Sequence, residues 1–124
     1  IDRKFYKCFV CSNIMDNESK ERFQGYTFRI EQVVTEPPTP QDRMAAEVRL
    51  FTQEGKQYGA NFLTRGFLDY VSEKNKRTGE CANGIYFCMP NMIVVQTLDE
   101  STVKLTIDDL IANIEIETYF TKLD

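Results

Sequence analysis

Histidine is missing from this chain of 124 residues, and that gap removes more chemistry than any other feature of the composition. Histidine is the side chain whose unperturbed pKa lies nearest neutrality, the usual base of catalytic dyads and triads and the commonest metal ligand. A triad hydrolase, a histidine-ligated metalloenzyme and a haem protein held by histidine are therefore excluded. Long apolar runs are missing too: no stretch approaches the roughly 18 consecutive apolar residues of a membrane helix. Ile1-Asp2-Arg3-Lys4 leads into no signal-peptide core, so a cytoplasmic protein without membrane contact is expected. The six glycines, at positions 25, 55, 59, 66, 79 and 84, form neither a GxGxxG nor a GxxxxGK pattern, which argues against a phosphate-cradling loop. Internal repeats and low-complexity segments are also lacking.

What is present suits a folded protein. Apolar residues make up 42% and charged residues 27%, with nine Phe and six Tyr, a balance that buries a core rather than leaving a disordered tail. The length suits one domain over residues 1–124, with a core that needs no staples. The four cysteines, Cys8, Cys11, Cys81 and Cys88, permit two disulfides but are far too sparse for a secreted disulfide scaffold. Reduced, mostly buried thiols are the expectation, since free cysteine behaves as a small hydrophobe. The alternative is a zinc site made by all four. Cys8 and Cys11 have knuckle spacing, but Cys81 and Cys88 do not, and both pairs sit in apolar sequence (Phe9-Val10; Ile85-Tyr86-Phe87). If Lys4 to Ser12 is a strand, Cys8 and Cys11 face opposite sides and cannot share a metal without a bend. No cofactor is expected.

Tyr26 to Glu31 alternates apolar and polar residues, the period of a half-buried strand with Tyr26, Phe28 and Ile30 inward. Three prolines between Glu36 and Asp42 make that stretch an extended surface loop. Ala46, Val48 and Leu50 then repeat the alternation, Gln53 to Lys56 supplies turn chemistry, and Gln57 to Leu63 returns as the partner strand of a hairpin. Thr64 is positioned to cap a helix carrying Phe67, Leu68 and Val71, and Gly79 to close it. The basic run Lys74-Asn75-Lys76-Arg77 complements that helix's C-terminal dipole and is read as a solvated helix end. Ile85 to Leu98 reads as strand interrupted at Pro90-Asn91, and Met92-Ile93-Val94-Val95, apolar throughout, as a central strand buried on both faces. Asp99 or Ser101 can cap a second helix whose stripe is Val103, Ile107, Leu110, Ile111 and Ile114. Ile114 to Phe120 fits strand or helix, and a helical turn is favoured. The expected fold class is α+β, an antiparallel or mixed sheet with two principal helices in the C-terminal half.

No catalytic constellation is legible. Asp108 and Asp109 are consecutive on a helix, so their side chains diverge by about 100°, and no activating partner is visible for a thiol or lysine nucleophile. Charge is more informative. Residues 96–124 carry seven acidic and two basic side chains, a local balance of −5 that leaves +1 for the remainder. An acidic face repels nucleic acid and steers a basic protein partner.

The succession Tyr58-Gly59-Ala60-Asn61-Phe62-Leu63-Thr64, an amphipathic helix, Thr78-Gly79-Glu80, Tyr86-Phe87, Met92-Ile93-Val94-Val95 and a closing acidic helix resembles small immunity proteins of bacterial polymorphic and contact-dependent toxin systems. The likeness covers about half the chain, from Tyr58 to Leu123. It implies a small cytoplasmic protein that is not an enzyme and that binds one cognate protein toxin, a nuclease being the expected target, so as to cover its active site. Carboxylates of Asp108, Asp109, Glu115 and Glu117 are the candidate contacts, with an exposed Tyr119 as aromatic anchor. The rival readings are a small-ligand-binding or enzymatic α+β domain and a zinc-stapled adaptor.

Overall fold

Five strands and two longer helices are laid out around one twice-used strand in the computed structural model, which describes residues 20–35 and 44–123. In chain order they are β1 (Thr27–Thr35), β2 (Met44–Phe51), β3 (Gln57–Thr64), α1 (Arg65–Thr78), α2 (Glu80–Gly84), β4 (Met92–Val95), α3 (Glu100–Ala112), α4 (Ile116–Tyr119) and β5 (Thr121–Leu123). The fold is α+β. The expected strand over Lys4 to Ser12, Cys8 and Cys11, and the proline-rich loop lie outside the described residues.

β1, β2 and β3 form an antiparallel meander in which Ile30 faces Val48 and Val48 faces Ala60. The period-two alternation therefore puts Phe28, Ile30, Ala46, Val48, Leu50, Tyr58, Ala60 and Phe62 on one sheet face, where they meet Val103, Ile107 and Leu110 of α3. Phe23, Ile116 and Phe120 complete this core, and the Phe62 and Phe120 rings meet edge to face at 6.0 Å. The opposite face buries Ala45 and Leu63 under Phe67 and Val71 of α1. β3 is central. Its free side is shared end to end by β5, antiparallel against Gln57–Gly59, and β4, parallel against Asn61–Thr64. The sheet is thus mixed, and the side chain of Asn91 hydrogen-bonds Thr121 where the two short strands meet.

Both helix starts follow the expected caps. Thr64, fully buried, accepts the Phe67 N–H at 3.2 Å, and its hydroxyl also accepts the Met44 N–H at 3.2 Å, tying β2, β3 and α1 together. Asp99 accepts the Thr102 N–H at 2.8 Å at the start of α3, and Gly79, at φ 86°, closes α1 in the left-handed conformation that glycine adopts without steric cost.

Three expectations need correction. Residues 85–91 form a loop rather than a strand, with Ile85 82% and Tyr86 56% exposed. β4 is an edge strand rather than a central one: among the described residues it pairs only with β3, and Val94 is 43% exposed. Its four-residue length and the proline just before it are edge features that an all-apolar run obscures. Cys81 is half-buried and Cys88 exposed, so neither is a buried core thiol, and both are free. Among the described residues no cluster of three or more metal-ligating side chains occurs.

The apolar stripe of α3 also stops earlier than its periodicity suggests. Ile114 lies past the helix end at φ 58°, the Ile114 N–H bonds the Ile111 carbonyl at 3.1 Å and the Glu115 N–H bonds the Leu110 carbonyl at 2.8 Å. That is the paired bonding of a Schellman termination, with a β-branched residue where glycine is usual. The left-handed conformation costs such a residue about 1–2 kcal/mol, and Ile114 is not among the residues packed on the core. Ile114→Gly is therefore expected to raise stability by about 1 kcal/mol in urea melts; a loss of that size would mean that the turn is not left-handed.

Candidate functional site: the groove between α3 and the open sheet edge

A helix covering a sheet leaves two flanks, and on α3 these differ in charge. Lys104, Asp108 and Ile111 lie along the flank facing β1, while Thr102, Thr106 and Asp109 lie about 100° or more away toward β4, the offset that 3.6 residues per turn imposes.

The β1 flank is electrostatically closed. Lys104 pairs with Asp108 at 2.9 Å and donates to the Tyr26 hydroxyl at 3.1 Å, Tyr26 donates to Asp108, and the ammonium stands 4.8 Å from the Tyr26 ring centroid. Burial and the hydrogen bond to Asp108 push the Tyr26 phenol above its ordinary value. The bond to Asp108 likewise raises Lys104. Burial raises Asp108, but its bonds from Tyr26 and Lys104 and the lysine's charge outweigh that and hold it below the usual carboxylate range. Near neutrality this trio is locked in one protonation state, which suits a brace and not a proton carrier. Shallow cavities of about 560 and 490 Å³ adjoin it, walled by Tyr26 and by Phe28 and Arg29 of β1 in the first and by Phe23 and Ile111 in the second.

Glu117 is similarly committed. It pairs with Arg22 and accepts from the Tyr58 hydroxyl at 3.3 Å, fastening α4 to the segment before β1 and to β3. Burial and the charge of Glu117 raise the Tyr58 phenol.

The β4 flank is different. A groove of about 280 Å³ runs between Met92–Val94 of β4 and Thr106, Asp109 and Leu110 of α3, with Tyr119 at one end. Its position follows from three local events: the parallel docking of β4 on β3, the capped start of α3, and the Schellman turn that brings Tyr119 back to the sheet. Tyr119 is half-buried against the core instead of fully exposed, and Glu115 is half-buried. Among the described residues no cation lies within ion-pair distance of the Asp109 carboxylate, whose residue is exposed. Leu105, 69% exposed on the next turn of the outer surface, adds apolar area.

Backbone direction completes the site. The Asn61 N–H donates to the Asn91 carbonyl at 2.9 Å, with Asn61 in register with Met92. Facing directions alternate along a strand, so Asn91, Ile93 and Val95 turn their backbone groups to β3. Met92 and Val94 turn theirs outward, to the open edge beside the groove.

Of the five residues expected at an interface, the fold thus gathers Asp109 and Tyr119 at the groove and uses Asp108 and Glu117 as internal fastenings. Sequence reasoning missed Thr106 and the outward backbone of Met92 and Val94, for which the shortness of β4 was the available signal. No protein-family profile, curated protein or solved structure matches this chain. Among the described residues no helix is long and apolar enough to cross a membrane.

The commitment of Asp108 should show in the acid limb of stability. Because Asp108 is held below its unfolded value, its contribution is present above that value, near 4, and is lost as pH falls through the lower folded one. Asp108→Asn is expected to flatten the acid limb of the stability–pH curve between about pH 5 and 2 and, the pair being half exposed, to cost no more than about 1 kcal/mol at neutral pH. Asp109→Asn should alter stability by less than about 0.5 kcal/mol at neutral pH. Urea midpoints measured across that range check both.

Proposed function

We propose that this chain is a non-enzymatic binding protein, an immunity protein that neutralises a cognate toxin domain by occupying its basic cleft. The observation that carries this reading is Asp109, a carboxylate with no cation at ion-pair distance among the described residues, on the wall of the groove between α3 and β4 and one helical turn from exposed Leu105. A charge left unmatched on a concave wall of mixed polar and apolar lining is an arrangement that steers a complementary partner. The acidic balance of residues 96–124 adds long-range attraction for a basic surface. Two further features favour binding over catalysis. Histidine is absent, and the Tyr26–Lys104–Asp108 set is shifted away from proton exchange near neutrality. The toxin would approach the α3–β4 side, with Asp109 and Tyr119 as contacts, and Glu115 at the border.

The neighbouring upstream gene of the source genome supplies the test. Expression of the C-terminal domain it encodes should arrest growth, co-expression of this chain should restore it, and Asp109→Lys should weaken the protection. Association of the two purified proteins should slow as salt shortens the Debye length to about 8 Å at physiological ionic strength. Undiminished arrest in the presence of the wild-type chain, or a neighbour with no growth-arresting domain, would contradict the assignment.

A further inference from the structure

We infer that the partner docks on this chain as an extended strand added to the outer edge of β4, with a lysine or arginine side chain that reaches Asp109. The mode deepens the binding reading given above and rests on the groove at that same site. Three observations carry it. The N–H and C=O groups of Met92 and Val94 point away from β3, so two donors and two acceptors stand in ladder geometry without a neighbouring strand among the described residues. An edge of this kind is a template for strand addition, in which main-chain bonds supply affinity and alternate side chains supply specificity.

The side chains flanking the edge specify what the added strand must carry. On the α3 side it would run along the groove walled by Thr106, Asp109 and Tyr119. On the opposite side it would lie next to Val94, whose exposed methyl groups favour an apolar or β-branched neighbour across the ladder. Successive residues of a strand point to opposite faces, so the matching segment alternates basic and apolar residues. Edge-to-edge pairing of β4 with the β4 of a second copy does not fit that description. Its own edge is Met92-Ile93-Val94-Val95, with no basic residue to meet Asp109, and two-fold pairing would bring two unmatched carboxylates to one interface.

Random linear peptides displayed on phage and selected against the full chain test the inference. The recovered sequences are expected to alternate lysine or arginine with apolar residues. A synthetic peptide of that pattern should lose affinity by about tenfold or more on Asp109→Lys, and on Val94→Pro, which removes an outward N–H that β3 does not use. In the wild-type chain the same peptide should shift the amide resonances of Met92 and Val94, a readout that stands even if Val94→Pro fails to fold. Failure to enrich any peptide, enrichment of acidic ones, affinity indifferent to Asp109→Lys, or self-association through this edge in place of peptide binding would overturn it. The two readings fail separately. Growth protection that a folded Val94→Pro leaves intact would remove the docking mode and keep the immunity role, whereas peptide capture at the edge by a chain that protects against no toxin would do the reverse.

Discussion

The divided pairing of β3 is the constraint on which the rest depends. One side of this strand is occupied along its length by β2, while the other is shared between β5 and the parallel β4. Its inward residues Tyr58, Ala60 and Phe62 found the main core, Leu63 on the opposite face anchors α1, and Thr64 at its end caps that helix. Gly59 belongs to the same design, since a Cβ there would stand 3.1 Å from the Leu123 side chain of β5. β4 and β5 fill the last column of the sheet, and among the described residues no further strand covers β4. The open edge follows from how the sheet was assembled.

Electrostatics then separate structure from function on a single helix. Asp108 and Asp109 are neighbours in sequence, yet the helical turn sends one to a lysine and a tyrosine and the other to the groove beside β4. Fastening Asp108 and Glu117 internally fixes where α3 and α4 sit, and that placement holds Tyr119 and Leu110 as walls of the groove. The balance of −5 over residues 96–124 already counts Lys104, and Arg22, from outside that stretch, offsets one further carboxylate, that of Glu117.

Local signals in the sequence were legible because they depend on a few adjacent residues. The alternation of Ala46, Val48 and Leu50, the caps at Thr64 and Asp99, the closing Gly79 and the stripe of Val103, Ile107 and Leu110 all express period or capping chemistry within one element. What was hidden depends on distance along the chain. Whether Met92–Val95 is central or at an edge is decided by what flanks it, and an apolar run reads the same in both places. Tyr26, bonded to Asp108, and Arg22, bonded to Glu117, lie 82 and 95 residues away, so those bonds leave no trace in local spacing, unlike the i,i+4 pair of Asp108 with Lys104. β5 is three residues long, too short for alternation to register, and Ile114 looks like a stripe residue until the helix ends before it. Residues 85–91 gave the same kind of false reading, because apolar Ile85 and Tyr86 are exposed on a loop.

Among the described residues β4 has one satisfied and one open backbone edge, a difference that amide hydrogen exchange of the unliganded protein reads directly. Ile93 and Val95, bonded to β3, should exchange slowly, and Met92 and Val94 fast, in alternation along four consecutive residues. Slow exchange at all four would place another strand against this edge and contradict the account.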